Sequence, residues 1–161
     1  FNKEFKDILI SIQAIDLQGK IITIPADKIL FKYRGNNISN NLIFLSASFR
    51  GKKKDSDKIK KEVTKLKAIK DKTQPTKIKT SGSTFKNPID QTKKKVWELI
   101  KESVAQDIEF GDACISNKHL NFFVNKNNAS FKDMSKLIEF VRESVEKKTG
   151  IKLEKEIKIL E

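Results

Sequence analysis

Eight residues near the middle of the chain, 81–88 (SGSTFKNP), interrupt any regular element that could run from one half into the other. Gly82 permits a tight turn with positive φ. Pro88 is excluded from helix interiors and central strands because it has no N–H to donate. Phe85 is apolar, so we expect it to hold the segment against a core while its polar neighbours face outward. Composition alone favours an ordinary polar connection over a binding loop.

The first half of the chain has the pattern of a small sheet. β-Branched and partly alternating residues predict a strand over residues 7–17 and a return strand over 21–24, joined as a hairpin. Alternation over residues 42–49 predicts another strand. Residues 25–28 begin with Pro and predict a short helix.

The remainder has the pattern of alternating helices and short strands. Apolar residues recur at helical spacing over 55–70 and 91–105, on either side of a polar, proline-bearing linker at 71–80. A third helix is predicted from Ser130, which begins a capping box, to Gly150, which is placed to end it. Short strands at 114–115 and 121–124, and a longer one at 151–160, complete an α+β fold class.

Length and cysteine usage limit the class of protein. A chain of 161 residues can bury one good core or two small ones. No apolar run approaches the roughly 20 residues of a membrane span, and no signal-peptide pattern is present. The single cysteine, Cys114, fits a small buried residue in a reducing cytosol. One His and one Cys provide no metal site and no nucleophile–base pair. We therefore expect a cytoplasmic protein with no membrane partner and no metal.

The net charge of +13 raises the alternative of a basic nucleic-acid-binding module. Lysine accounts for nearly all of the positively charged residues, and the three arginines are Arg34, Arg50 and Arg142. The chain has no recognisable aromatic stacking pattern and no arginine-rich helix, so we expect no specific nucleic-acid partner. The scarcity of Arg makes Arg34 notable, because a planar two-pronged donor stands where Lys is the usual choice.

Five segments in order resemble the UDP-N-acetylenolpyruvoylglucosamine reductase (MurB) family. Residues 82–88 (GSTFKNP) are similar to its serine-bearing signature. The others are similar to a Tyr-Arg segment, a Gln-Pro entry to the substrate domain, a Ser-x-x-His run followed by Asn-Phe-x-x-Asn, and a closing Leu-Glu-x-Glu segment. They lie at residues 31–34, 74–75, 116–125 and 153–157.

The resemblance implies a flavoenzyme of peptidoglycan precursor synthesis, and thus a role in cell-wall formation, cell shape and cell division. It would use FAD, reduced by NADPH, to convert UDP-N-acetylglucosamine enolpyruvate to UDP-N-acetylmuramate. Residues 1–72 would be the C-terminal part of a flavin-binding α+β subdomain, and 73–161 a small α+β substrate-binding domain. A monomer is expected.

The resemblance also implies roles for individual residues. Ser83 matches the proton donor, and Arg34 and Glu156 match the pair that polarises the substrate carboxylate and its enol form. The implied substrate-binding residues are Tyr33, Lys86, Asn87, His119 and Asn121, and the implied cofactor-binding residues are Asn36 and Gln74. Lys86, in the same loop as Ser83, is also a candidate for stabilising the serine alkoxide.

Some features depart from the family pattern. Residues 89–109 replace its Ala-Gly opening and its Gly-Leu-Lys-Gly segment. Asn36 stands where the family often has Ser. The only tyrosine is Tyr33, and the span from 88 to 121 is short, which is typical of the second subtype. None of the six glycines are clustered, so the Gly-rich cradle for the FAD diphosphate is expected to lie upstream of Phe1, and the 161 residues alone are expected to be inactive.

Overall fold

The computed structural model describes residues 3–160. Contacts within the chain divide it into two compact units, 1–62 and 63–161. The division falls inside a long helix, α1 (Ser56–Thr73). Each unit is described by itself.

The first unit is built on a three-stranded antiparallel sheet of β1 (Leu9–Ile15), β2 (Ile21–Pro25) and β3 (Ile43–Phe49), in the order β2-β1-β3. Ile15 lies opposite Ile21, which confirms the predicted hairpin. The Asp16 carboxylate fixes its turn by accepting the N–H groups of Gln18 and Lys20, at 3.0 and 2.8 Å. A single 3₁₀ turn, Ala26–Lys28, follows as predicted.

The core of this unit is small. Its buried members are Leu9, Ile12 and Ile29, with Ile24, Ala26 and Ile38 partly buried against them. Every residue of β3 is exposed. So few buried side chains provide little hydrophobic stabilisation.

The helix α1 extends three residues beyond the predicted end, into the segment predicted as a linker. The linker prediction is also wrong at its other end, because Lys79 begins a strand. The predicted apolar stripe of α1 is present in sequence, but no residue of this helix is buried. The Thr73 hydroxyl donates to the carbonyl of Ile69 in the last turn, at 3.0 Å.

The second unit contains a four-stranded antiparallel sheet with two helices packed on it. The strands are β4 (Lys79–Ser83), β5 (Glu109–Phe110), β6 (Ala113–Ile115) and β7 (Phe122–Asn125), in the order β4-β7-β6-β5. The helices are α2 (Val96–Ser103) and α3 (Phe131–Thr149). Mixed helices and antiparallel sheets confirm the α+β class.

The start of α2 is later than predicted for a local reason. The Asn87 side-chain oxygen accepts the Val96 N–H at 3.1 Å, and the Glu98 carboxylate accepts the Lys95 N–H at 2.7 Å. Both bonds satisfy donors at a helix start, so they fix that start at residue 96. The buried face of α2 consists of Val96, Leu99 and Ile100.

The core of the second unit is much larger than that of the first. Side chains from α2, α3, β6 and β7 meet around Phe85, which is 1% exposed and makes an edge contact with Phe123 at 5.8 Å between ring centroids. The prediction that Phe85 holds its segment to a core is confirmed. The buried members of α3 are Leu137, Ile138, Val141 and Val145.

The strand predicted over residues 151–160 does not form. The segment makes a single bridge, between Lys155 and Phe85, although Leu153 is buried and Ile157 partly buried as the alternation predicts. The Gln91 side chain binds both backbone groups of Lys152, accepting at 3.0 Å and donating at 2.9 Å. These bonds take the place of a continuous strand ladder.

The buried Asn121 side chain fixes the segment after β4. Its Oδ1 accepts the Phe85 N–H at 3.0 Å, and its Nδ2 donates to the Phe85 carbonyl at 2.8 Å. Asn121 is 5% exposed, so this amide replaces water for two buried backbone groups.

The helix α3 has the predicted caps at both ends. The Ser130 hydroxyl accepts the Asp133 N–H at 3.2 Å, while an Asp133 carboxylate oxygen accepts the Ser130 N–H at 2.9 Å. The Ser130 hydroxyl also donates to the Asp133 carboxylate at 2.7 Å. This bond, together with the one from the Ser130 N–H, lowers the pKa of the Asp133 carboxyl. Gly150 ends the helix with φ of 73°.

We expect Ser130→Ala to lower the free energy of unfolding by about 1 kcal/mol at neutral pH, because it removes the N-cap of α3. The folded-state pKa of Asp133 is lowered, so the capping box stabilises the fold fully at pH values above the ordinary pKa of 3.8. The difference in stability between the wild type and Ser130→Ala therefore shrinks as the pH falls below that value. Urea denaturation at two pH values measures both. Ser135→Ala, the same change inside the helix, is the control; an equal loss there would contradict the capping role.

We expect Asn121→Ala to lower the free energy of unfolding by about 3 kcal/mol, because two buried backbone groups of Phe85 lose their partners. Urea denaturation measures the loss. Asn127→Ala, at an exposed position six residues along the chain, is expected to change stability by less than about 0.5 kcal/mol. Equal effects of the two substitutions would show that the Asn121 amide is not what fixes the segment.

Candidate active site

Ser83 lies at the end of β4, directly after an irregularity in the strand. The register between β4 and β7 shifts between Thr80 and Ser83, and Gly82 has φ of 90°. The Thr80 hydroxyl stabilises this bulge by donating to the Phe123 carbonyl at 2.8 Å and accepting the Gly82 N–H at 3.3 Å. A bulge re-aims the next side chain, and such features are common beside active sites. Ser83 is half-buried.

The backbone brings Ser83 and Glu156 together across 73 residues of sequence. The residue after Ser83, Thr84, accepts the Glu156 N–H at 2.8 Å, while its own N–H donates to the Asn121 carbonyl at 2.8 Å. The segment 84–86 is therefore bonded along both edges. Glu156 is half-buried, and it follows Lys155 in the bridge to Phe85.

Lys86 joins the same two segments by its backbone and its side chain. Its N–H donates to the Glu154 carbonyl at 2.9 Å, and its ammonium forms an ion pair with the Glu154 carboxylate. The role of Lys86 beside a serine alkoxide stays a prediction. Its position next to the Ser83–Glu156 junction follows from the two backbone bonds.

The residues implied as substrate contacts in the second unit also have structural partners. Asn87 caps α2, and Asn121 fixes Phe85. The His119 ring makes an edge contact with Phe122 at 4.8 Å between centroids, and its Nδ1 accepts the Asn121 N–H at 3.3 Å. Burial lowers the pKa of His119, so the ring is neutral at pH 7. Their contacts with substrate stay predictions.

Two candidates lie on one turn of the first unit. Lys32 and Gly35 exchange backbone hydrogen bonds of 2.8 and 3.2 Å, which leaves Tyr33 and Arg34 at the tip. Arg34 has φ of 54°, and its guanidinium carbon lies 5.4 Å from the centroid of the Tyr33 ring. A left-handed conformation is uncommon for a residue with a side chain and often marks a functional position.

Asn36 and Gln74 are the two implied cofactor-binding residues. The Asn36 side-chain oxygen accepts the Ile38 N–H at 2.8 Å, so it shapes its own turn. It also lines a cavity of about 320 Å³ in the first unit, together with Ile12, Phe31 and Phe44. This mostly apolar lining fits part of a flat aromatic ring such as that of a flavin. Gln74 is half-buried and follows the end of α1.

Residues 3–160 can also be searched for a metal site, a membrane-spanning helix and a reactive thiol. Among them no three His, Cys, Asp or Glu residues are grouped to hold a metal ion. In the same range no helix has the length and apolar character to cross a bilayer. Cys114 is buried, as predicted, and burial raises the pKa of its thiol.

Sequence reasoning did not single out two residues of the second unit, Thr84 and Trp97. Thr84 is 1% exposed, and its hydroxyl has no hydrogen-bond partner within residues 3–160. Trp97 is 43% exposed on α2, beside the buried Val96. A detectable signal existed for Trp97, because a large aromatic residue stands on the polar face of an amphipathic helix. Thr84 had none, since its burial depends on segments distant in sequence.

Comparison with known proteins gives the family. Residues 74–160 match the model of the UDP-N-acetylenolpyruvoylglucosamine reductase C-terminal domain. A UDP-N-acetylenolpyruvoylglucosamine reductase of Pelagibacter ubique is 73% identical over 160 residues, which are 99% of this chain and 53% of that protein. The enzyme of the same name from Rickettsia conorii is 42% identical over 158 residues, 98% of this chain and 52% of its own length.

A crystal structure agrees with these matches. The UDP-N-acetylenolpyruvylglucosamine reductase (MurB) of Thermus caldophilus superposes with a TM-score of 0.76 at 26% identity, over 95% of this chain and 53% of that one. The chain spans about half the length of the relatives that it matches. On these matches, the chain belongs to the UDP-N-acetylenolpyruvoylglucosamine reductase family.

Proposed function

We propose that this chain is the substrate-binding part of an oxidoreductase that reduces UDP-N-acetylglucosamine enolpyruvate to UDP-N-acetylmuramate in peptidoglycan precursor synthesis, in the cytoplasm. The observation that carries the proposal is the backbone bond from the Glu156 N–H to the carbonyl of Thr84, the residue after Ser83, which joins two signature segments at one point. The names of the relatives at 73% and 42% identity support the substrate.

Ser83 is proposed to protonate the carbon that becomes the α-carbon of the lactyl group. A serine hydroxyl is a weak acid, so it acts only where the alkoxide is stabilised as it forms. The bulge at Gly82 gives Ser83 a fixed direction, and the bonds on both edges of 84–86 hold it there. A fixed donor needs little reorganisation when the proton is transferred.

Arg34 and Glu156 are proposed to hold the substrate carboxylate while negative charge spreads onto it. A guanidinium can donate two parallel hydrogen bonds to a carboxylate, and these strengthen as the enolate develops. The Tyr33 ring beside the guanidinium restricts its orientation. Tyr33, Lys86, Asn87, His119 and Asn121 are proposed to bind or shape the site for the sugar nucleotide.

Asn36 and Gln74 are proposed to hold FAD, with the apolar cavity beside Asn36 accepting part of its ring. When bound, the flavin supplies the hydride that it has received from NADPH. The 161 residues contain no glycine cluster to cradle a diphosphate, so alone they are proposed to be inactive. The alternative of a nucleic-acid-binding module accounts for the charge but not for the family match.

The proton-donor role is testable in a protein of the relatives' full length that carries this chain. Ser83→Ala is expected to slow the half-reaction with the enolpyruvyl substrate by roughly 10²–10⁴-fold, the usual effect of a positioned acid. The half-reaction with NADPH should be nearly unchanged, because it precedes proton transfer. Rapid-mixing measurements separate the two, and Ser83→Cys should recover some rate because a thiol can also donate a proton.

The matched control is Ser81→Ala, two residues earlier on the exposed part of β4. This substitution should change the rates of both half-reactions only slightly. Equal slowing of both half-reactions by Ser83→Ala, or a larger effect of Ser81→Ala, would mean that Ser83 only supports the turn.

Arg34→Lys is expected to keep the charge and lose the two-pronged donor, which lowers kcat by roughly 10²-fold. Steady-state kinetics of the same full-length protein measure this. Arg50→Lys makes the same change at an exposed position of the same unit and should leave kcat within about twofold. Similar values for the two variants would remove Arg34 from the carboxylate-binding role.

A further inference from the structure

The closing segment, residues 153–157, is tied to α3 by an ion pair next to Glu156. The Lys155 ammonium lies 3.3 Å from Oε1 of Glu139, which is in the middle of α3. Oε2 of the same carboxylate pairs with the guanidinium of Arg142, one turn further along the helix. Because both oxygens of Glu139 are bonded, this carboxylate has a fixed orientation where it meets Lys155.

The ion pair is only partly open to water. The Lys155 side chain is 35% exposed and that of Glu139 is 37% exposed. Two neighbours of Lys155 in the segment belong to the core, since Leu153 is buried and Ile157 is partly buried in it. Lys155 also lies opposite the core residue Phe85 in the backbone bridge. Such shielding makes an ion pair stronger and less sensitive to salt than a fully exposed one.

Side chains of the closing segment alternate between two faces. The Glu154 side chain is 73% exposed and its carboxylate pairs with the Lys86 ammonium, whereas Lys155 turns towards α3. In extended backbone, successive side chains point to opposite faces and residues two apart share one. Glu156 therefore belongs to the face of Glu154, opposite to the face that the ion pair with Glu139 holds.

Two backbone hydrogen bonds hold the segment on either side of Lys155. The Lys86 N–H donates to the Glu154 carbonyl at 2.9 Å, and the Glu156 N–H donates to the Thr84 carbonyl at 2.8 Å. A segment held at two points can still twist about the line that joins them. The ion pair to α3 is a third contact, to one side of that line, and it restricts this twist.

We propose that Glu139 and Lys155 are positioning residues that direct the Glu156 carboxyl towards the substrate. The inference rests on the proposed function, in which Glu156 acts on the substrate carboxylate and its enol form. A twist of the segment would move the Glu156 carboxyl away from the developing charge. This displacement slows the reaction, because stabilisation by fixed groups depends on their prior orientation. Neither Glu139 nor Lys155 is among the residues that the sequence resemblance implied.

The test measures the two half-reactions in a protein of the relatives' full length that carries this chain. Glu139→Gln is expected to slow the half-reaction with the enolpyruvyl substrate by roughly threefold to tenfold, the lower part of the range for coupled neighbours. The half-reaction with NADPH should stay within about twofold of the wild type, because Glu156 takes no part in it. Lys155→Met should cause the same selective loss, whereas Lys155→Arg keeps the charge and should retain the rate.

A double-mutant cycle shows whether the two residues act together. Each single substitution breaks the same ion pair, so Glu139→Gln combined with Lys155→Met should be no slower than the slower single variant. The matched control is Glu146→Gln, which removes the partner of Lys152, an ion pair of 3.6 Å between the same helix and the residue before the closing segment. This control should leave both half-reactions within about twofold of the wild type. Urea denaturation of each variant checks that the fold is retained.

The inference would be overturned by an unchanged substrate half-reaction in Glu139→Gln, by equal slowing of both half-reactions, or by additive losses in the double variant. A loss in Glu146→Gln as large as that in Glu139→Gln would also overturn it, since any link to α3 would then have the same effect.

Glu156→Gln distinguishes these results from failure of the proposed function. If Glu156→Gln slows the substrate half-reaction by roughly 10²-fold or more while Glu139→Gln does not slow it, only the positioning role is wrong. If Glu156→Gln has no effect, the role of Glu156 in the proposed function is wrong as well.

Discussion

The second unit of this chain depends on how the backbone of residues 84–86 is bonded. The backbone N–H and carbonyl groups of Thr84 and of Phe85 all have partners, supplied by the Asn121 backbone, the Asn121 amide and Glu156. The Lys86 N–H adds a bond to Glu154. A segment bonded at this many backbone groups cannot shift by one residue without breaking several buried bonds. That constraint fixes Ser83 at one end and the closing segment of the chain along one edge.

The same constraint explains why several signature residues have structural partners. Asn121 holds Phe85, Asn87 starts α2, and His119 accepts a bond from the Asn121 backbone. A residue with such a role still has polar atoms that its structural bond does not use, such as Nε2 of His119. Sequence signatures therefore combine groups that shape a site with groups that act in it, and substitution must separate the two.

The two units differ in the size of the hydrophobic core that supports their candidate residues. The second has a core gathered around Phe85 from helices and strands, whereas the core cluster of the first has only three buried members, Leu9, Ile12 and Ile29. Positions that need precise geometry benefit from a rigid support. Ser83 and Glu156 have that support within their own unit. Arg34 has a different one, a tight turn in which its backbone is left-handed and its guanidinium faces Tyr33.

The sequence by itself determined the local elements and the family. The hairpin at Asp16, the capped helix from Ser130 to Gly150 and the anchoring by Phe85 all follow from short-range patterns, because turns, caps and amphipathic faces are set by neighbouring residues. The order of the signature segments was also sufficient to indicate the family that the comparisons confirm.

Only the tertiary structure decided where the long-range bonds go. The alternation over residues 151–160 correctly indicated which side chains turn inward, but not that the segment would bond to Thr84 and Lys86 instead of forming a strand. The late start of α2, the buried Thr84 hydroxyl and the exposed Trp97 beside His119 likewise depend on partners distant in sequence. The spacing of apolar residues, every two in a strand or every 3.6 in a helix, describes one element at a time. It contains no information about which distant backbone group will accept a given N–H.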